Sequence, residues 1–296
     1  MHILKIICTF AQNLETMADF IKTNDYYEDE NGPFRYKYAR ASLTADTVIF
    51  SVEGHQLYVL LIQRNENADT EAGKWAIPGG FLRVYPTPSE PRIDFTIDEC
   101  GRRELQEETH FPDDITKNLD LRLVGVFSRA NRDERGRVIT VAYYNLARKC
   151  EVEGGDDAAI AQWWAVNELP ELAFDHQEII SAALKQLRAD FQFDSAAFRL
   201  LDKTFTYRQL FDLYYAVYSD MFGDYQTFVE SQRGNFINQI KKLDILDEIS
   251  GKKEQESSHP GISGKLYTFN EEKYKAIVEE KKKKMGTRCF NLINRD

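Results

Sequence analysis

The sequence predicts a layered α/β domain followed by a smaller, mostly helical one. Two pairs of apolar, β-branched runs separated by polar turns flank a glutamate-rich helix, and beyond Thr204 the periodicity becomes helical. The chain has 296 residues, enough for two cores, since folded domains run to about 100–200 residues. We expect a partly disordered leader over residues 1–36, the first domain over 37–195 and the second over 196–296.

Taken in order, the run from Met1 to Ala11 is apolar but interrupted by Lys5, and it has neither a membrane-spanning length nor a small-residue cleavage site. It reads as non-targeting, and Met17 opens a more typical polar start. Leu43 to Arg64 reads as a hairpin: the alternating TADTVIFSV, a turn at Glu53 and Gly54, then QLYVLLIQR. LRLVGVFSRA and VITVAYYNLA around Gly136 read as a second hairpin. QWWAVNEL reads as one more strand. His176 to Phe191 carries Ile179, Ile180, Ala183, Leu184 and Leu187 at the spacing of an amphipathic helix.

Hydrophobic residues make up 43% and charged residues 29%, which excludes a disordered chain. The four cysteines, Cys8, Cys100, Cys150 and Cys289, include no close pair, so neither a thiolate zinc site nor a disulfide framework is predicted and a reducing cytoplasm suits the chain. Residues 191–296 hold 17 Lys+Arg and 16 Asp+Glu, which leaves −11 of the net −10 on residues 1–190. An acidic front part repels free phosphate, so handling a phosphate compound there requires bound cations or well-placed arginines.

Between the hairpins lies TIDECGRRELQEETHF. Thr96 with Glu99 three residues on is a capping box, so a helix is predicted from about Thr96 to Thr109. Glu104, Glu107 and Glu108 then share one helical face. Like charges so close repel unless a cation sits among them, and an all-oxygen set suits Mg2+ or Mn2+. The alternative is a solvated acidic face. Upstream, KWAIPGGF sets Gly79 and Gly80 where backbone can approach a ligand and a carbonyl can point at a metal.

These residues resemble the Nudix signature, with Gly80 as its first glycine and Arg103-Glu104-Leu105-Gln106-Glu107-Glu108 as its core. The resemblance implies an α/β/α sandwich with a mixed sheet. It also implies that Glu104 supports metal and activates water, that Glu107, Glu108 and the Gly80 carbonyl ligate Mg2+ or Mn2+, and that Arg103 belongs to the catalytic set. The sequence departs from the signature in three places: Gly80 to Arg103 is nine residues longer, Phe95 stands where the upstream glutamate belongs, and His110 replaces the closing glycine. Asp94 is the candidate substitute for the carboxylate, and His tolerates the left-handed conformation of a helix end.

FSRANRDERGRVITVAYY and LAFDHQEII resemble the branch with ADP-ribose pyrophosphatases and ADP-ribose-sensing regulators. On that reading Arg64, Arg129, Arg132 and Arg135 contact phosphates and Trp75 or Tyr143 stacks on a base. Asp133, Glu134, Glu151 and Glu153 are candidates for a further acid, and Asp175 with His176 for the cap of the following helix.

In the second part, Thr206 is expected to cap one helix, Asp224 to begin a short second one, and RGNFINQIKKL to form a third with Phe236, Ile237, Ile240 and Leu243 inward. Arg233, Asn235, Asn238, Gln239, Lys241 and Lys242 then face outward, the side-chain types that read base edges and phosphates in a major groove. ILDEIS, a polar loop and KLYTF read as a wing. This order resembles the winged helix-turn-helix of Nudix-related transcriptional regulators, which implies double-stranded DNA as a partner and a homodimer. No membrane partner is expected. Two functions stay open: Mg2+-dependent hydrolysis of a nucleoside-diphosphate compound such as ADP-ribose, coupled to DNA binding, and sensing of ADP-ribose or a sugar with little or no catalysis. The closing run Lys281–Lys284 reads as a solvated helix end or a DNA contact.

Overall fold

The computed structural model describes residues 40–86, 91–155, 158–253 and 264–282, together with Tyr27–Glu28, Arg35–Tyr36, Tyr38 and Leu292–Ile293. The expected leader, Cys8, Cys289, the wing loop 254–263 and the lysines beyond Lys282 lie outside the described residues.

Strands β1 (Tyr27–Glu28) and β2 (Arg35–Tyr36) pair with each other. The central sheet is built from β3 (Ser42–Glu53), β4 (Gln56–Arg64), β5 (Trp75–Ala76), β6 (Gly79–Phe81), β7 (Arg122–Phe127), β8 (Val138–Leu146) and β9 (Ala158–Ala165). Its order is β5-β4-β3-β8-β7, with β6 added on β3 and β9 on β4. Both expected hairpins are present, β3–β4 and β7–β8, each antiparallel. Gly54 closes the first with φ +59, a conformation that glycine adopts without steric cost. β3 and β8 run parallel, which makes the sheet mixed.

β3 is buried along most of its length because both faces of the sheet are covered. On one face Val48, Phe50, Val59, Leu61 and Tyr144 meet Ile179, Ile180, Ala183 and Leu187 of α3 (His176–Phe193). On the other, Ile49, Leu60 and Trp163 meet Leu105 of α1 (Ile97–Thr109) and Phe111. Both capping-box hydrogen bonds of α1 are made, and the helix ends at His110 with φ 48. The short helix α2 (Asp113–Asn118) follows.

A 3-10 turn (Ala196–Arg199) leads to α4 (Tyr207–Phe222), α5 (Tyr225–Leu243), the wing strands β10 (Leu246–Lys253) and β11 (Lys265–Phe269), and α6 (Glu271–Lys282). Thr206 caps α4 as expected, through a capping box with Gln209, and Asp224 caps α5. The expected short helix and third helix are instead one helix, α5. Phe228, Gln232, Phe236 and Ile240 recur every four residues on its buried side and carry the register through Arg233 and Gly234, where the third helix is expected to begin. Glycine in a helix interior costs about 1 kcal/mol, too little to interrupt a run already anchored by that burial.

The two expected cores are continuous. The cluster that packs α3 on the sheet runs on into Leu210, Tyr214 and Tyr218 of α4 and Phe228 and Phe236 of α5. Tyr214 donates to the Phe191 carbonyl (2.9 Å) and Tyr218 to the Arg188 carbonyl (2.7 Å), so α4 is tied by its buried hydroxyls to the end of α3. Among the described residues no helix is long and apolar enough to cross a membrane.

Candidate functional site

One cavity of about 1350 Å³ opens beside β6, between α1 and the N-terminal end of α3. Its acidic side is the glutamate face of α1. Glu104, Glu107 and Glu108 all line it, as do Gly79 and Gly80. Glu108 is buried and accepts a hydrogen bond from the Gly79 N–H at 2.8 Å. The absence of side chains at the double glycine permits this approach: a Cβ on Gly80 would lie 2.6 Å from Cδ of Glu104, and one on Gly79 would lie 2.4 Å from the Ala45 carbonyl oxygen. Burial pushes the Glu104 carboxyl up to about 7 against the pull of Arg103, and burial followed by the Glu104 charge holds Glu108 well above the usual carboxylate range.

Two guanidinium groups already lie among these acids. Arg103 reaches Glu104 (2.6 Å) and Glu107 (2.9 Å) with Nη1, Asp94 with Nε (2.9 Å) and Nη2 (2.7 Å), and the Phe81 carbonyl with Nη2 (3.0 Å). Arg83 makes a bidentate pair with Glu107 at 2.9 and 3.1 Å. Arg103, expected in the catalytic set, has its donors spent on these neighbouring groups. Asp94 does not substitute for the missing glutamate: it accepts from Arg103 and from the Arg83 N–H, which hold its carboxyl below the ordinary range despite burial. Phe95 is two-thirds exposed. Arg83 escaped the sequence reading, because nothing local marks it; the long loop after Phe81 carries it back over α1.

The set of Glu104, Glu107, Glu108 and the Gly80 carbonyl suits a hard divalent cation in donor chemistry, and it lies on one wall of one cavity. Among the described residues no three Asp, Glu, His or Cys side chains converge at coordination geometry. Arg83 spans both Glu107 oxygens, and the Gly80 carbonyl accepts the Cys100 thiol at 3.6 Å. A cation joining all four donors thus requires the Arg83–Glu107 pair to open.

The rest of the lining is partly cationic and aromatic. Arg64, Arg132 and Arg135 line the cavity. The Arg64 guanidinium lies 5.2 Å from the Phe174 ring centre; that of Arg135 lies 5.4 Å from Phe174 and 5.0 Å from Phe81. Phe174 has φ 52, strained for a non-glycine residue. Asp133 also lines the cavity, where Arg135 grips its carboxylate at 3.0 and 2.7 Å and outweighs burial to keep it below the ordinary range. Glu134 bonds to Thr70, while Glu151 and Glu153 are exposed and line no part of the cavity.

Four expectations on this side are corrected. Trp75 stacks edge-on against Trp164 at 5.0 Å, because β5 pairs at the sheet margin and turns the indole onto β9, away from the cavity. Arg129 is exposed and pairs with Glu178 on α3. Tyr143 is buried and does not line the cavity either. Asp175 caps no helix with its side chain; its carboxylate receives Arg132 at 3.0 and 2.7 Å.

His176 lines the cavity, and its Nδ1 accepts the Ile77 N–H at 2.9 Å. The ring is therefore neutral with its proton on Nε2, and burial pulls its pKa below the ordinary value. Below pH 6.5 the unfolded chain binds a proton that the folded chain refuses, so stability falls as pH drops, by up to about 1.4 kcal/mol per pH unit. Melting temperatures from pH 7.5 to 5 should fall less steeply for His176→Gln, whose amide oxygen can still accept from Ile77; parallel curves would reject this.

On α5, Asn238, Lys241 and Lys242 are exposed and Arg233 is half-buried. Asn235 is corrected: its amide donates to the Leu292 carbonyl at 3.0 Å, so it is engaged within the protein. The wing strands β10 and β11 pair antiparallel.

Residues 42–183 match the NUDIX domain and residues 193–284 the AraR C-terminal winged HTH domain. The chain joins a Nudix domain to a winged helix-turn-helix domain. It is 36% identical over 122 residues to an ADP-ribose pyrophosphatase of Methanocaldococcus jannaschii, covering 41% of this chain and 63% of that protein. It is 28% identical over 180 residues to the ADPR responsive transcriptional repressor NtrR of Acinetobacter baylyi, covering 60% and 66%. The chain thus spans just under two thirds of each relative. The crystal structure of Shewanella oneidensis NrtR complexed with a 27mer DNA shares the fold, with a TM-score of 0.52 and 22% identity over 79% of this chain and 95% of that one. In this Nudix domain the glutamate box and the double glycine meet in one cavity, while its exposed winged-helix face retains Asn238, Lys241 and Lys242.

Proposed function

We propose that the Nudix domain binds a nucleoside-diphosphate sugar, ADP-ribose in first place, and hydrolyses its pyrophosphate, and that the winged helix binds double-stranded DNA under control of that ligand. The observation that carries this reading is that Glu104, Glu107 and Glu108 and the arginines Arg64, Arg132 and Arg135 line one and the same cavity. A diphosphate lying in it meets arginine, and the similarity to an ADP-ribose pyrophosphatase and to an ADP-ribose-responsive repressor supports both halves.

Mg2+ or Mn2+ held by Glu104, Glu107, Glu108 and the Gly80 carbonyl would supply neutralisation of the pyrophosphate oxygens. Glu104 accepts the proton of the water that adds to phosphorus. The anhydride P–O bond breaks, and AMP and ribose 5-phosphate leave. Arg103 orients Glu104 and Glu107 from behind. Arg233, Asn238, Lys241 and Lys242 of α5 face the DNA, and two copies of the chain meet paired half-sites. On this reading the protein works in the cytoplasm, where its DNA lies.

A second reading has its own observation. Arg83 lies across both oxygens of Glu107, as in a domain that senses the ligand and does not cleave it. Release of AMP from ADP-ribose with and without Mg2+, run beside Glu107→Gln, separates the two. Mg2+-dependent release lost in the variant supports hydrolysis; no release, with ADP-ribose still lowering the affinity for DNA of the protein's own promoter region, selects the sensor. If neither nucleotide release nor DNA retention at low salt is seen, both fail.

A further inference from the structure

The cavity also holds two polar side chains, Thr44 and Asp46, that no hydrogen bond of the glutamate box or of the arginines satisfies. Thr44 and Asp46 lie two residues apart on β3 and so point to the same side of the sheet. Both line the cavity, at 6% and 5% exposure. Thr44 Oγ1 and Asp46 Oδ2 are buried and have no hydrogen-bond partner. Arg132 does not satisfy Asp46: its Nη2 stays 3.7 Å from Oδ2, because Asp175 holds the guanidinium at 2.7 and 3.0 Å.

A buried oxygen without a partner costs about 1–3 kcal/mol, and two at neighbouring positions that face the same cavity are a built acceptor and donor set. The charge of Asp46 turns away a phosphate. A cation is poorly served, since no three carboxylates converge there. Uncharged hydroxyls fit: the carboxylate accepts and the threonine hydroxyl donates or accepts.

We propose that Thr44 and Asp46 form a subsite for the hydroxyls of a sugar, the pentose at the end of the diphosphate remote from the base. The proposal rests on the reading that the cavity takes a nucleoside-diphosphate sugar. Asp46 Oδ2 accepts from one ring hydroxyl and Thr44 Oγ1 bonds to its neighbour. The arginines then hold the diphosphate, and the subsite distinguishes ADP-ribose from ADP.

Calorimetric titration of the full chain in EDTA, which prevents turnover, with ADP-ribose, ADP and ribose 5-phosphate tests it. The expected result is that ADP-ribose binds more tightly than ADP. Thr44→Val and Asp46→Asn should each weaken ADP-ribose and ribose 5-phosphate about tenfold and leave ADP unchanged, as loss of one hydrogen bond does. Because neither oxygen has a partner in the free protein, the melting temperature of Thr44→Val should not fall; a fall beside unchanged affinities overturns the subsite in favour of a structural role. Equal affinities for ADP-ribose and ADP, or variants that weaken both alike, overturn it as well. Binding of ribose 5-phosphate without ADP-ribose or ADP keeps the subsite and removes the nucleotide reading. Binding of ADP alone keeps the diphosphate reading and removes the subsite, and binding of none of the three removes both.

Discussion

Replacement of Arg132 by leucine is expected to cost the folded protein about 3–5 kcal/mol, the loss that follows when one partner of a buried ion pair is removed. The guanidinium is 4% exposed and grips Asp175 through both carboxylate oxygens, with Asp46 on its other side. Without it the carboxylates of Asp175 and Asp46 lose the guanidinium that lies between them. Urea denaturation of Arg132→Leu against the parent chain measures the loss. The double variant Arg132→Leu with Asp175→Leu should recover more than half of it, because the stranded charge is removed with its partner. A single-variant loss below about 1 kcal/mol would mean that the pair behaves as a screened surface bridge.

Gly79→Ala is the second large effect. The added Cβ would lie 2.4 Å from the Ala45 carbonyl oxygen and 2.4 Å from Asp46 Oδ1. Backbone cannot rotate away as a side-chain tip can, so β6 must leave β3, where Asp46 and Gly79 are paired. Overpacking of this kind costs about 3 kcal/mol, and the shift also takes the Gly79 N–H from Glu108. Gly80→Ala is the internal comparison: its Cβ meets only the end of the Glu104 side chain, which can swing aside. The variants should therefore differ, with Gly79→Ala losing several degrees of melting temperature and Gly80→Ala keeping most of its stability while the Glu104 wall is disturbed. Equal losses would refute the steric account.

Where an element was set by contacts within a few residues, it was legible. Thr96 with Glu99, Thr206 with Gln209 and the left-handed His110 all act through backbone groups no more than four positions away. Strands β3 and β4 were legible for the same reason, since a β-branched run and a turn at Gly54 form a hairpin with little help from elsewhere. The glutamate face of α1 follows from helical spacing alone.

The misplacements share one cause. Trp75 and Arg129 look like ligand contacts because tryptophan and arginine often are, but β9 brings Trp164 to one and α3 brings Glu178 to the other. The division into a short helix from Asp224 and a third beginning at Arg233 does not survive, because Phe228 and Phe236 are buried against α4 along one continuous helix. Arg83 and Asp46 had no local signal: each owes its role to segments that pair over long separations, the loop folded over α1 for Arg83 and the β3–β6 register for Asp46.

By itself the sequence determined the strands, the capped helices and the three glutamates that share a face, because those features depend on backbone preference and on a period of two or three to four residues. Only the tertiary structure decided which arginine neutralises which acid, that the cavity holds the unpartnered Thr44 and Asp46, and that the two parts share one core. Coulombic pairing and burial act through space between groups tens of residues apart, and no local pattern encodes which of them will meet.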